Sequence, residues 1–204
     1  MDSLFNKSNL LKLREDVKGF IGPKRFKHTL GVEKMAEKLA AYLCPDKKEK
    51  IRFAALLHDV AKEMKRVEQL DLIALYGYNL TEEDKNTPAA YHSFAAAGAV
   101  IKYFPKYCDE EIISAVFNHT LGAPDMNLFD EIIFISDYIE ENREYISCID
   151  TRNFLLSNIE KEGAVALHKA VIMSIDYTAS ALTNRGVRIH SKTFLTKNAF
   201  QGLI

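Results

Sequence analysis

AALLHDVAK, residues 54–62, sets a histidine and an aspartate side by side in an apolar, helix-favouring run and follows them with a lysine one turn later. The run reads as the buried face of a core helix over about 47–63, where a charged pair needs a reason to be present. Working outward, apolar residues recur at helical spacing almost everywhere, with no alternating strand, repeat or low-complexity segment. The fold class expected is all-α, a helical bundle in one domain over residues 1–204.

On the N-terminal side the spacing predicts a helix over about 7–20, broken by GFIGP, then a longer one over about 24–43 with Val32, Met35, Ala36 and Leu39 on one face. Beyond the central stretch, a short helix, a turn at Gly77 and a second short helix capped by Thr81 are expected. A helix capped by Thr87 with Pro88 at its first position follows, whose alanines and Gly98 permit close packing. CDEEIISAVFNHT is the next helix, LGAPD breaks it, and MNLFDEIIFISDYIEENREY resumes. The tail reads as a helix near 151–158, a long one over about 162–185 ended by Gly186, and an irregular VRIHSKTFLTKNAF.

Composition limits the possible partners. The chain has 204 residues, 48% hydrophobic and 27% charged, with a net charge of −1, so it lacks the basic excess of a protein that coats nucleic acid. No stable nucleic-acid partner is expected. No apolar run approaches the ~18 residues of a membrane span, and the first residues lack a signal-peptide pattern, so the expected setting is cytoplasmic. Cys44, Cys108 and Cys148 are far apart and form no CxxC pair, which predicts free thiols and neither a disulfide framework nor a zinc site. A homodimer through an exposed apolar helix face is a further expectation.

His58 and Asp59 are not alone. His28 shares the face of Val32 and Leu39, His92 opens the alanine-rich helix, His119 follows Ile112, Ala115 and Val116, and Asp137 is embedded in IIFISDYI. Each histidine taken singly is ordinarily a hydrogen-bonded core residue, and Asp137 could be held by an arginine. That view explains all six together poorly. Four imidazoles and two carboxylates without a thiolate suit first-row ions such as Fe, Mn, Co or Ni better than a structural zinc, and an Asp59 that gave one oxygen to each of two ions would make a paired site. Such sites activate a shared water and clamp a phosphoryl group for in-line attack, so phosphoester or phosphoanhydride hydrolysis is the matching chemistry.

The order His28, His58-Asp59, His119, Asp137 resembles the metal signature of the HD-domain phosphohydrolases, with His92 and His119 as the additional pair of dinuclear members. HTLGVEKMAEKLA, AALLHDVAK, HSFAAAGA, NHTLGAPDM, ISDYIEENR and RGVRIHSKT together are similar to the YqeK-like family of bacterial HD proteins. The resemblance implies symmetrical hydrolysis of diadenosine tetraphosphate to two ADP at a dinuclear site, with iron as the usual metal and Mn or Co as alternatives. It further implies one ion on His28, His58, Asp59 and Asp137 and a second on Asp59, His92 and His119. The chain departs from the family pattern at Glu141, where proline is usual, and at Ser191, often proline.

The catalytic candidates are thus Asp59, Lys62 and His119. Lys62 lies on the side of His58 and Asp59, Arg25 one turn before His28, and Arg143 after Asp137, where each could reach a phosphate. Thr120, Arg188 and His190 complete the substrate-binding candidates, whose ligand is a small dinucleoside polyphosphate. His168, facing Ile172 and Ile175, reads as structural. Two other readings remain: a nucleotidase or hydrolase of another nucleotide messenger, and a non-catalytic nucleotide sensor. HDVAKE speaks against a guanosine-tetraphosphate hydrolase, which usually carries HDxxED.

Overall fold

A computed structural model describes residues 4–204, and among them all regular structure is helical. The helices are α1 (Lys7–Lys18), α2 (Pro23–Leu43), α3 (Lys48–Leu57), α4 (Arg66–Tyr76), α5 (Glu82–Lys85), α6 (Tyr91–Tyr103), α7 (Glu110–Asn118), α8 (Leu128–Ile139), α9 (Ile146–Glu162), α10 (Ala164–Asn184) and α11 (Ser191–Gln201). The start and stop signals act as expected at several ends. Pro23 stands at the first position of α2, Thr81 caps α5 through its hydroxyl, and Gly77 closes α4 at φ 82°, a left-handed conformation that glycine adopts without a steric penalty.

The core is built around α3 and α6. Ile51 and Phe53 through Leu57 of α3 are buried, and α3 packs on α1, α2, α7 and α8. α6 is buried continuously from Tyr91 to Val100 and lies against α4 and α7. Gly98 is what allows that approach, because a methyl group there would collide with the Leu72 carbonyl of α4. Gly98→Ala must therefore push two backbones apart, at a cost of about 3 kcal/mol, which for a chain of this size is a fall of roughly 6–12 °C in Tm by calorimetry. Tyr78, Phe94 and Phe117 close the far side with ring centroids 4.9 to 5.0 Å apart.

Five boundaries differ from the sequence reading, one being the end of α8, which stops at Ile139 rather than near 145 because Glu140 turns to ψ 153°. α3 stops at Leu57 rather than 63, since Val60, Lys62 and Met64 donate to carbonyls three residues back and wind 58–63 into successive tight turns. Pro88–Ala90 forms a 3-10 turn before α6, and the Thr87 hydroxyl donates to the Glu83 carbonyl instead of capping α6. α9 extends over Ile146–Glu162, its inward Cys148, Thr151, Leu155 and Ile159 being separated by charged residues that mask the period. The tail expected to be irregular contains α11, whose inward residues are Thr193, Thr196 and Phe200; two threonines and one phenylalanine give no apolar stripe.

Charge is buried away from the site as well. Glu33 is held by Arg14 at 2.7 Å and Arg52 at 3.0 Å, tying α1, α2 and α3 together. Glu131 of α8 is hydrogen-bonded to His168 Nδ1 at 2.8 Å, and that imidazole packs on Phe200. Burial and then the neighbouring Asp130 push Glu131 up to about 8, and burial pushes Asp130 up to about 6. Both carboxyls thus keep a proton in the fold at a pH where the unfolded chain has released it. Their contribution to stability is full below about pH 4, declines as pH rises, and is lost above about 8. Glu131→Gln removes one of the two titrations, and its urea-unfolding free energy should fall less between pH 5 and 8 than that of the parent chain.

Candidate metal centre

Helix ends supply most of the cluster. His58 and Asp59 leave the end of α3, His92 lies in the first turn of α6, His119 caps the end of α7, and His28 and Asp137 project from α2 and α8. The dyad is therefore carried by a tight turn, not by the middle of a helix. His58 Nδ1 donates to the Ala55 carbonyl at 2.6 Å, His92 Nδ1 to Ala89 at 2.9 Å and His119 Nδ1 to Val116 at 2.7 Å. A carbonyl only accepts, so each Nδ1 carries the proton and each Nε2 keeps its lone pair. One backbone device, repeated on three helix ends, leaves three Nε2 lone pairs that could ligate a metal.

Asp59, only 2% exposed, lies between them. Its Oδ1 is 3.5 Å from the Nε2 of both His92 and His119, and its Oδ2 is 3.4 Å from His58 Nε2 and 3.8 Å from His28 Nε2. His28 Nε2 is also 3.0 Å from Asp137 Oδ1. His28, His58 and Asp137 offer ligand atoms within 4.8 Å of one another, as do His58, Asp59 and His119; His92 lies beside the second group, 3.2 Å from His119 Nε2.

The donor chemistry fits a cation. His58 Nε2 and Asp59 Oδ1 are buried without a hydrogen-bond partner, an arrangement too costly to leave uncompensated. Burial alone would raise the Asp59 carboxyl; positive charge at His58 and His119 outweighs it and holds Asp59 well below the usual range, a charge that a metal on their Nε2 atoms would supply in place of a proton. Burial, His119 and Lys62 press His92 down to about 3, which keeps it neutral. Against its burial, the hydrogen bonds to Asp137 and Glu140 raise His28 to about 9, so a metal must displace a proton there.

The basic candidates fall into two groups. Arg25 donates to Asp59 Oδ2 and Arg143 to Asp137 Oδ1, each at 2.8 Å, so both reach the cluster carboxylates directly. Lys62 Nζ at 2.9 Å and the Thr120 hydroxyl at 3.0 Å converge on His92 Nε2, and a metal on that nitrogen frees both donors to face an anion. Burial lowers the Lys62 ammonium. Arg188 and His190 lie farther out. The Arg188 side chain is 85% exposed, 4.0 Å from Glu83. Both His190 nitrogens are committed, Nε2 to Asp84 at 3.1 Å and Nδ1 to the Lys192 amide at 3.1 Å, making it the cap of α11 and a wall of the adjoining cavity. His168 stands outside the cluster, paired with Glu131.

Glu140, 1% exposed, escaped the sequence reading. Its Oε1 is 3.2 Å from His28 Nδ1, and its Oε2 accepts from the Asn142 amide and side chain, each at 2.8 Å. Arg152 fixes this loop by donating to the carbonyls of Ile139, Glu140 and Arg143. Gly31, one turn after His28, leaves room for the carboxylate; a methyl there would strike Glu140 Oε2. That glycine inside a helix was the available signal. At the two departures from the family pattern, Glu141 pairs with Lys34 at 2.7 Å, and the Ser191 amide donates to Glu83 at 2.9 Å, a bond that proline could not make.

A family model for the HD domain matches residues 25–142. The symmetrical bis(5'-nucleosyl)-tetraphosphatase of Bacillus subtilis (strain 168) is 33% identical over 175 residues, 85% of this chain and 88% of its own length. A protein of the same name from Halalkalibacterium halodurans is 29% identical over 194 residues, 95% of this chain and 96% of its own. A solved structure described as an HD superfamily hydrolase involved in NAD metabolism, from Clostridium acetobutylicum, superposes with a TM-score of 0.82 at 30% identity, covering 95% of this chain and 97% of that one.

Proposed function

The chain belongs to the HD-domain family, and on that premise we propose that it is a metal-dependent phosphoanhydride hydrolase that cleaves diadenosine tetraphosphate symmetrically to two molecules of ADP. The observation that carries this reading is the division of Asp59, whose two oxygens face different sets of imidazoles. His28, His58, Asp59 and Asp137 would hold one ion and Asp59, His92 and His119 the other, with iron as the native metal and Mn or Co as substitutes. Ions held in this way supply Lewis acidity, activating a water at neutral pH and neutralising charge on the phosphoryl group.

The protein's own groups do the rest. Asp59 holds the two halves of the cluster in register, and the repeated Nδ1 bonds fix the ring orientations. Lys62 and Thr120 donate to phosphate oxygens beside His92, while Arg25 and Arg143 stabilise charge that develops on the leaving ADP. Among the described residues no helix is long and apolar enough to cross a membrane, and the three cysteines are free, which supports a cytoplasmic setting.

Ion-exchange separation of products after incubation with diadenosine tetraphosphate and Fe, Mn or Co tests the reading. ADP alone is the expected product. ATP plus AMP would overturn the symmetrical cut, and no product with any metal would overturn the hydrolase.

A further inference from the structure

α8 delivers Asp137 to the metal centre and then ends without a glycine, at Glu140, whose φ of −56° and ψ of 153° turn the chain away from the helix axis. The last carbonyls of a helix need partners from elsewhere. Two arginines supply them here. Arg143 Nε donates to the Asp137 carbonyl at 3.2 Å, and Arg152 Nε donates to the Ile139 carbonyl at 2.5 Å. Arg152 Nη2 then donates to the Glu140 carbonyl at 2.7 Å and to the Arg143 carbonyl at 2.8 Å. One guanidinium on α9 thus gathers three carbonyls across residues 139–143, and none of these bonds goes to a carboxylate or to a metal-site side chain.

We propose that Arg152 is a positioning residue of the hydrolase: by fixing the backbone of residues 139–143 it aims the Glu140 carboxylate at His28 and the Arg143 guanidinium at Asp137 together. The kinetic part of this rests on the hydrolase reading above, whereas the metal-binding part stands on the geometry. Glu140 and Arg143 share one tight turn, closed by the Arg143 amide donating to the Glu140 carbonyl at 2.9 Å. From that turn Glu140 Oε1 lies 3.2 Å from His28 Nδ1, and Arg143 Nη2 lies 2.8 Å from Asp137 Oδ1. A turn left to move would lose conformational entropy each time either side chain engaged its ligand, and a brace on its carbonyls removes that loss beforehand.

The residue type matters. A guanidinium offers its donors in a planar fork that reaches several carbonyls at once, while a lysine ammonium is a point charge on a flexible stem. The platform is firm as well: Thr151 and Leu155, on either side of Arg152 along α9, are fully buried. α9 lies beyond residues 25–142, the stretch that matches the HD domain, so the ligands of that stretch are braced by a helix outside it.

Chelator-competition titration with Mn, which needs no turnover, tests the metal-binding part. Arg152→Ala should weaken metal binding roughly tenfold or more, as expected when the partner of a ligating imidazole loses its place. Arg152→Lys should recover little of the loss. The double variant Arg152→Ala/Glu140→Gln should bind metal no more weakly than the weaker of the two single variants, because both remove the same support from His28. Leu155→Ala is the control, since it opens a cavity on the same helix and lowers Tm without touching the loop; its metal affinity should stay within about twofold of the parent. Millimolar guanidinium chloride should restore metal binding to Arg152→Ala and leave Glu140→Gln unchanged.

Kinetics give the second readout. kcat/KM for diadenosine tetraphosphate should fall roughly tenfold in Arg152→Ala, and adding Arg143→Ala should cost no more than Arg143→Ala does alone. Parental metal affinity in Arg152→Lys, an equal loss in Leu155→Ala, or additive losses with Glu140→Gln would each overturn the proposal. Should Arg152→Ala fail to fold by circular dichroism, Arg152→Lys carries the same comparisons. The two levels separate cleanly: a parent chain that binds metal and cleaves no diadenosine tetraphosphate removes the hydrolase reading, while a parent that cleaves it beside an Arg152→Ala variant of unchanged metal affinity removes only this one.

Discussion

Asp59→Asn is expected to yield a folded protein that binds about one metal ion per chain or fewer and hydrolyses diadenosine tetraphosphate roughly 10³-fold more slowly, a loss of about 4 kcal/mol of transition-state stabilisation. Asparagine keeps the volume and one acceptor oxygen but aims an NH₂ group, a donor, at one of the two imidazole sets. Metal analysis after gel filtration, steady-state kinetics and a circular-dichroism spectrum check the prediction together. An Asp59→Asn protein that retained two ions and most of its activity would mean that its two oxygens are not shared.

The second large effect is expected far less directly, from a glycine. Gly31→Ala places a methyl where Glu140 Oε2 now lies, so the carboxylate must leave His28 Nδ1. Partners that orient a ligating imidazole are typically worth 10–100-fold in metal affinity, and a loss of about that size is expected in a chelator-competition titration. Glu140→Gln should lose a similar amount by weakening the same contact without the steric clash. Combined, the two substitutions should cost no more than the larger single one, because they remove one interaction. Additive losses would show that Gly31 acts on something other than Glu140.

Much of the centre was legible because it breaks a pattern. His28, His119 and Asp137 stand on faces whose other residues are apolar, and a helical period makes such exceptions visible. Asp137 was the strongest signal, since a buried carboxylate demands a counter-charge. Glu140 was not legible for the opposite reason. In DYIEENR it is one charged residue among several at a helix end, and only the fold shows that it turns inward to His28 while Glu141 turns outward to Lys34.

The end of α3 was missed because VAK continues the apolar run, whereas the tight turns at 58–63 depend on where Asp59 must point. α11 was missed because threonines line its inner face. Arg25, one turn before His28, and Arg143, beyond Asp137, read from the sequence as groups able to reach a phosphate. The fold adds that each already rests on a cluster carboxylate, Arg25 on Asp59 and Arg143 on Asp137.

The most direct test of the centre is an anomalous-scattering map from crystals of the protein loaded with Mn or Fe. The prediction is two peaks about 3.5–4 Å apart, one beside each oxygen of Asp59, the first within reach of His28, His58 and Asp137 and the second of His92 and His119. A single peak, or two peaks on the same side of Asp59, would contradict it.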